Sequence, residues 1–380
     1  MPEQLRVLQL AKHFAPDTGG IETVTLNISE VLLRFGIRAD VLCTEVKGPY
    51  AETARDYDVL RCRSDLAIGN KRLSWEYVTR GRALEAEYDC ALVHLPNPLA
   101  MLAAAAWRKP VILIWHADIP QTPIRLASAP LDRWMIRKAA AIISPTPVHT
   151  GASHYATAIA RRGSTVIPYP FDRSLMAAPT GQSDFARRLD TFAAGRSLAV
   201  AVGRLVPYKG FDMLIEAARG FGDDLCALIV GNGPLRQALA DKIAAEGVGD
   251  RIMMAGGLSD DELADALGRA RMGCMPSVTA AEMYGMAQVE SMAAGLPMVS
   301  TDIPRSGVPF VNRHDETGLV VPPADPAALA AAMRRLAEDN ALWQRLREGA
   351  LRSVAEEHDV DRVGERYARL IREVVGRGQA

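Results

Sequence analysis

The 380-residue chain has room for one large or two medium domains, and its 49% hydrophobic and 23% charged residues describe a globular protein, not a disordered or collagen-like one. Forty-four basic residues offset 45 acidic ones with no long block of one sign, which excludes a general field for holding nucleic acid and confines any anion site to a local cluster. Five scattered cysteines, Cys43, Cys62, Cys90, Cys226 and Cys274, form no C-x-x-C pair, so neither a disulfide framework nor a zinc site is expected and a reducing cytoplasm is the simplest setting.

The opening apolar run is short and interrupted by Arg6 and Gln9, so it reads as a first strand, Leu5 to Leu10, and not as a signal peptide. A helix follows over Ile21 to Phe35, with Ile21, Val24, Ile28, Val31 and Leu32 at helical spacing and Gly36 as its stop. Further strands are predicted at Ala39 to Cys43, Cys90 to Leu95, Val111 to His116, Ala141 to Ser144 and Thr165 to Ile167, with helices filling most of the gaps. The most apolar region, Leu95 to Ala117, is broken by prolines, Arg108 and Lys109 and cannot span a bilayer. From Tyr169 to Arg196 prolines, Gly181, Ser183 and charges replace any strand, which marks a linker with a flanking helix.

A second series of strands begins after it, at Leu198 to Gly203, Cys226 to Val230, Ile252 to Ala255, Met272 to Met275, Met298 to Thr301 and Gly318 to Val321. Three helical stretches close the chain, the last over roughly Asp361 to Val375. Apolar strands alternating with amphipathic helices are the mark of βαβ units, so the fold class is α/β with parallel sheets. The domains are set at 1–172 and 173–358, followed by a terminal helix over 359–380.

In such sheets ligands gather beyond the carboxyl ends of the strands, where loops lead into helix N-termini. The first such loop is KHFAPDTGGIE, in which Gly19 and Gly20 let backbone approach a phosphate or sugar. In the second half GRLVPYKGFD places Arg204 and Lys209 in one loop, two cations suited to a diphosphate. VGNGPLR is not a dinucleotide fingerprint, because Arg236 stands where a third small residue is needed. In EMYGMAQVESMAAGLP, Glu282 precedes a helix, Gly285 lies near its start and Glu290 falls inside it. The two acids are eight positions apart, about 12 Å along a helix, the reach from a sugar past a diphosphate to a ribose. The amides near Gly285 and Met286 then sit midway at a positive helix end.

Together GGIE, GRLVPYKG, VGNGP, the E-x7-E run and TGLVVPPADP resemble the retaining glycosyltransferases of family four, over nearly the whole chain and in the same order. The resemblance implies the GT-B fold: two Rossmann-like domains facing across a cleft, a nucleotide-sugar donor held by the second, an acceptor by the first, a C-terminal helix that crosses back to the first, and no metal or other cofactor. Carried onto these residues, Arg204 and Lys209 neutralise the diphosphate and Glu290 binds the ribose. Glu282 meets the transferred sugar, and the amides of Tyr284, Gly285 and Met286 support the phosphate. GGLSD from Gly256 meets the nucleobase, Gly20 faces the diphosphate, and His116, ahead of Asp118, lies near the anomeric carbon. One departure is SGVPFVN, where Phe310 replaces an acid that many relatives carry. The DIPRSGVPFVN wording is similar to bacterial enzymes of O-antigen and other lipopolysaccharide synthesis that use mannose-type donors.

The implied reaction is hexosyl transfer from a nucleoside diphosphate sugar, GDP-mannose in type, to a hydroxyl of a glycan or lipid-linked glycan, the leaving phosphate taking the acceptor proton. A nucleotide-sugar epimerase or hydrolase and a catalytically silent sensor are the alternatives. Lys71, Arg72, Arg80 and Arg82 accompany Trp75 and Tyr77 in the first domain, which admits peripheral contact with anionic lipid at the inner face of the cell membrane or an ordinary solvated helix. Residues 1–172 carry 20 basic and 17 acidic groups, so such contact would be salt-sensitive.

Overall fold

A computed structural model describes residues 4–16, 19–45, 50–54, 56–68, 71–119, 123–181 and 183–379. Asp17 and Thr18 of the first glycine loop, and Asn70, lie outside them, and of Lys71 only the backbone is described. The chain forms two compact units, one ending at Pro170 and resuming at Asp359, the other running from Phe171 to His358.

The first unit is built on strands β1 (Leu5–Leu10), β2 (Ile37–Glu45), β3 (Tyr50–Ala54), β4 (Tyr57–Arg63), β5 (Leu66–Ile68), β6 (Lys71–Leu73), β7 (Cys90–Leu95), β8 (Val111–Trp115), β9 (Ala141–Ser144) and β10 (Thr165–Val166). Eight of them make one sheet in the order β10-β9-β8-β7-β1-β2-β4-β3, parallel except for β3, while β5 and β6 pair as a separate hairpin. Its helices are α1 (Gly20–Arg34), α2 (Trp75–Ala83), α3 (Pro98–Ala105), α4 (Pro123–Lys138), α5 (Pro147–Gly151) and α6 (Ala156–Arg162). β7 and β8 are buried along their whole length, as strands covered on both faces must be. One face packs beneath Tyr77, Met101, Trp107, Met135 and Ile159 of the α2, α3, α4 and α6 layer.

The second unit opens with α7 (Asp184–Ala193) and carries a parallel sheet of β11 (Ser197–Val202), β12 (Leu225–Val230), β13 (Ile252–Gly256), β14 (Met272–Met275), β15 (Met298–Thr301) and β16 (Gly318–Val321), in the order β13-β12-β11-β14-β15-β16. Around it lie α8 (Phe211–Ala217), α9 (Arg236–Glu246), α10 (Asp260–Arg269), α11 (Met286–Ala293), α12 (Val308–Val311), α13 (Pro326–Glu338) and α14 (Asn340–Ser353). Buried Asp265 on α10 holds the linker, accepting from the Gly181 amide at 2.6 Å and the Ser183 hydroxyl at 2.8 Å, bonds that keep its carboxyl below the usual range. Phe171 and His358, the two ends of this unit, meet directly, the Phe171 amide donating to the His358 carbonyl at 2.8 Å.

The terminal helix α15 (Val360–Gln379) packs on α1 of the first unit, as the resemblance implied. Gly364 permits the close approach, since a Cβ there would fall 2.2 Å from Val31 Cγ2. Arg34 pairs with Asp361 at 3.1 Å across the same interface. The sequence reading omitted β3 and β4. Their alternation is masked by Arg61, which is only 2% exposed and buried against Glu52 and Glu45 where a strand core ordinarily places an apolar group.

Candidate active site

The loop after β11 is shaped by three glycines. At Gly231 a Cβ would lie 2.0 Å from the Gly203 carbonyl oxygen, and at Gly233 2.4 Å from that of Leu205, so the VGNGP loop crosses the GRLVPYKG loop only because it has no side chain there. Gly210, at φ +67°, turns the chain back past the Pro276 carbonyl. This turn carries Lys209 inward, its Nζ 2.5 Å from Glu282 Oε2, with both side chains largely buried. Arg204 remains exposed and has no side-chain partner among the described residues.

Glu282 is braced from two sides. Ser277 Oγ donates to its carboxylate at 3.2 Å, and Ser306 Oγ to its backbone carbonyl at 2.5 Å. The Gly307 amide bonds the Met283 carbonyl at 2.9 Å, and Thr301 donates to the Ser277 carbonyl. The loop then passes Tyr284, whose hydroxyl lies 3.3 Å from His358 Nδ1, and turns at Gly285, φ +76°, into α11. Gln288, wholly buried, donates to the Tyr284 carbonyl at 2.8 Å and holds this turn. The amides of Gly285 and Met286 have no hydrogen-bond partner among the described residues, so the helix end keeps open donors and its positive pole.

Glu290 sits one turn into α11, partly buried and without a hydrogen-bond partner among the described residues. Burial raises its pKa, the Lys209 charge opposes that rise, and Asp260 reinforces it. Asp260 opens α10 behind a capping box of Ser259 and Glu262, and Gly256 before it, φ +78°, accepts from the Gly231 amide at 2.7 Å. Thus Lys209, Glu282, Glu290, the α11 tip and the Gly256 loop share one neighbourhood at the carboxyl ends of β11, β12, β13 and β14.

In the first unit Gly19 caps α1 in extended conformation, and a Cβ on it would strike the Glu22 carboxylate at 2.2 Å. Gly20 is different. Among the described residues nothing lies within 4 Å of where its Cβ would be, so none of them demands glycine there.

His116 is buried, and both ring nitrogens are engaged inside the unit. Nδ1 lies 2.5 Å from the Tyr169 hydroxyl and Nε2 2.9 Å from His94 Nδ1, while His94 Nε2 lies 2.8 Å from Gln9 Oε1. The Gln9 amide nitrogen donates to the Thr25 carbonyl at 3.1 Å and to Ser29 Oγ at 2.6 Å. A carbonyl only accepts, so Gln9 has one orientation, and the chain of donors is set: His94 Nε2–H to Gln9, His116 Nε2–H to His94, Tyr169 O–H to His116. His116, which the resemblance places near the anomeric carbon, is here a buried link in this relay. Asp118 is likewise a staple, accepting from Trp115 Nε1, Ser153 Oγ and the His154 amide at 3.1, 2.7 and 2.7 Å.

Sequence reading missed His94, Gln9, Ser277, Ser306 and Gln288. Buried polar residues inside apolar strands, such as Gln9 in LRVLQL and His94 in CALVHL, were the available signal. Phe310, at the departure from the family pattern, lies partly buried on α12, while nearby Asn312 ties Met298, Ser300 and Leu319 together.

Residues 183–352 match the family described as Glycosyl transferases group 1, and residues 18–175 match Glycosyltransferase Family 4. The chain is 30% identical over 342 residues to the D-rhamnosyltransferase WbpZ of Pseudomonas aeruginosa, covering 88% of this chain and 87% of that one. It is a family 4 glycosyltransferase. This glycosyltransferase is also 26% identical to the O-antigen chain mannosyltransferase C of Escherichia coli, over 96% and 98% of the two chains. Its fold is that of Anabaena Alr3699/HepE, solved in complex with UDP, at TM-score 0.76, 20% identity and 97% and 100% coverage. The sucrose-phosphate synthase of Thermosynechococcus elongatus shares it at TM-score 0.78, 19% identity and 98% and 100% coverage. The family 4 glycosyltransferase therefore has the GT-B fold.

Proposed function

We propose that this glycosyltransferase moves a manno-configured hexose, with retention, from a GDP-sugar to a hydroxyl of a glycan or lipid-linked glycan in the synthesis of a bacterial surface polysaccharide. The carrying observation is the second-unit cluster, in which a buried Lys209–Glu282 pair lies near a helix tip with open amides. Support for the sugar comes from two relatives, named a D-rhamnosyltransferase and a mannosyltransferase, since D-rhamnose is 6-deoxymannose. Support for a surface polysaccharide comes from the O-antigen name of the second.

Arg204 and Lys209 bind the diphosphate with the amides of Tyr284, Gly285 and Met286. Glu290 accepts from the ribose hydroxyls, Glu282 from the transferred hexose, the Gly256 loop meets the base, and Gly19 and Gly20 leave the start of α1 open to a phosphate or sugar. As the glycosidic bond breaks, negative charge grows on the departing phosphate, and a fixed cation or helix end stabilises it with little reorganisation, each such donor contributing about 2.7–4 kcal/mol. The leaving phosphate accepts the acceptor proton. His116 acts by positioning, through the relay, rather than by touching the reacting carbon. The donor is a substrate and the reading needs no metal.

Thermal unfolding with a panel of nucleoside diphosphates and their sugars tests this reading. GDP and GDP-mannose should raise Tm while UDP does not. Selective stabilisation by UDP would overturn the assignment of the base, and an anomerically inverted product by NMR would overturn retention. Donor-only epimer formation, or free sugar release undiminished by acceptor, would replace transfer by an epimerase or hydrolase activity.

A further inference from the structure

The helix layer formed by α2, α3 and α4 has an unusual outer surface. Ordinary surface helices mix acids and bases on their solvent side. On α4 the exposed stripe repeats at three- and four-residue intervals as Leu126, Pro130, Arg133, Trp134 and Arg137, with no acid in it. Leu126 is 74% exposed and Trp134 41%. The one acid of α4, Asp132, points inward and accepts from Ser128 and Tyr155.

The neighbouring helices continue the pattern. α3 has no charged residue, and its Leu102 is exposed. α2 begins with Trp75, 66% exposed, and ends with exposed Arg82, while Tyr77, read with Trp75 in the sequence, is wholly buried. α2 packs on α3 and α3 on α4, so Trp75, Leu102, Leu126 and Trp134 belong to one layer. Among the described residues, the helices of the opposite layer, α1 and α15, expose no large hydrophobic side chain.

We propose that the α2–α3–α4 face docks on an anionic lipid surface. Charge complementarity argues for this occupant over a second copy: Arg82, Arg133 and Arg137 flank exposed indoles and leucines, and an identical face would oppose cation to cation. Exposed tryptophans settle at the boundary between headgroup and acyl chain, and the arginines reach the lipid phosphates. No described helix is long and apolar enough to cross a membrane, so the attachment is peripheral. The inference deepens the reading of a lipid-linked acceptor, yet it is measured without donor or turnover, so its failure leaves the transfer reading standing.

The full chain is co-sedimented with vesicles of phosphatidylcholine alone and of phosphatidylcholine with phosphatidylglycerol, at low and high salt. Binding is expected to the anionic vesicles at low salt, about tenfold weaker on neutral vesicles or at high salt. Leu126→Ser with Trp134→Ser, and separately Arg133→Glu with Arg137→Glu, should each weaken it about tenfold with an unchanged Tm. The matched pair Arg369→Glu with Arg377→Glu on α15 should leave it intact. Absence of binding to anionic vesicles at low salt overturns the proposal, as does equal binding by the face variants. A dimer in sedimentation velocity that Leu126→Ser with Trp134→Ser dissolves would assign the face to a second copy and overturn it too.

Discussion

Lys209 and Glu282, 73 positions apart in the chain, hold each other at 2.5 Å in a largely buried ion pair. Each is the other's counter-charge until an anion arrives. Lys209→Met is expected to lower kcat about a hundredfold in a folded protein, because it removes a donor to the leaving group. Glu282→Gln should also reduce turnover, and the double variant should be more stable than the sum of the singles predicts, since each single leaves a lone buried charge. Steady-state kinetics and urea melts on the four proteins of this cycle decide it, and strictly additive stabilities would show that the pair is not coupled.

Two glycines give opposite expectations. Gly20→Ala should leave Tm unchanged and raise the donor KM, because the new methyl meets no atom among the described residues and would meet a ligand approaching α1. Gly210→Ala should destabilise by about 2 kcal/mol or more, because φ is +67° and the new methyl would meet the Pro276 carbonyl 2.0 Å away. Melting curves and donor titrations of both variants separate a binding glycine from a folding one.

Acid should destabilise the first unit through three histidines. Burial lowers the pKa of His94 and His149 to about 3 and that of His116 well below its ordinary value, His94 and His149 reinforcing the last effect. The unfolded chain therefore binds protons that the folded chain refuses. Stability is full above the unfolded value near pH 6.5 and falls as pH drops toward 3, by up to about 1.4 kcal/mol per pH unit for each histidine. Urea melts between pH 7 and 4 measure the slope, and a flat profile would mean that the relay is not neutral in the folded state.

Tyr367→Phe should stabilise by up to about 1 kcal/mol. The Tyr367 hydroxyl is wholly buried on α15 with no hydrogen-bond partner among the described residues, so deleting it removes an uncompensated desolvation at almost constant volume. Thermal unfolding of the variant checks this.

If Arg204, Lys209 and the α11 tip meet the charge on the leaving diphosphate as proposed, transfer should withstand EDTA. Loss of activity on chelation, restored by a divalent cation, would show that these groups are insufficient.

Much of this was legible in the sequence because parallel strands buried on both faces announce themselves as apolar runs, as CALVHL and LCALIV do. The loops between them were legible through glycines that pass close to backbone, such as Gly210 and Gly231. What escaped depends on distance along the chain. Arg61 disguised β4 because its counter-charges Glu52 and Glu45 lie on other strands. The partners that fix His116, Tyr169 and His94, are 53 and 22 residues away and leave no mark on its local sequence. The Lys209–Glu282 pair was hidden for the same reason. Its two loops read as separate motifs until the sheet joined them.

The bond between the Phe171 amide and the His358 carbonyl places the entrance and exit of the second unit side by side. Topologically, the segment from Phe171 to His358 is a cassette inserted into its host at a single point. Evolution or an engineer can excise such a cassette, bridge the host with a short linker, or graft in a homologue of altered donor preference without rerouting the chain.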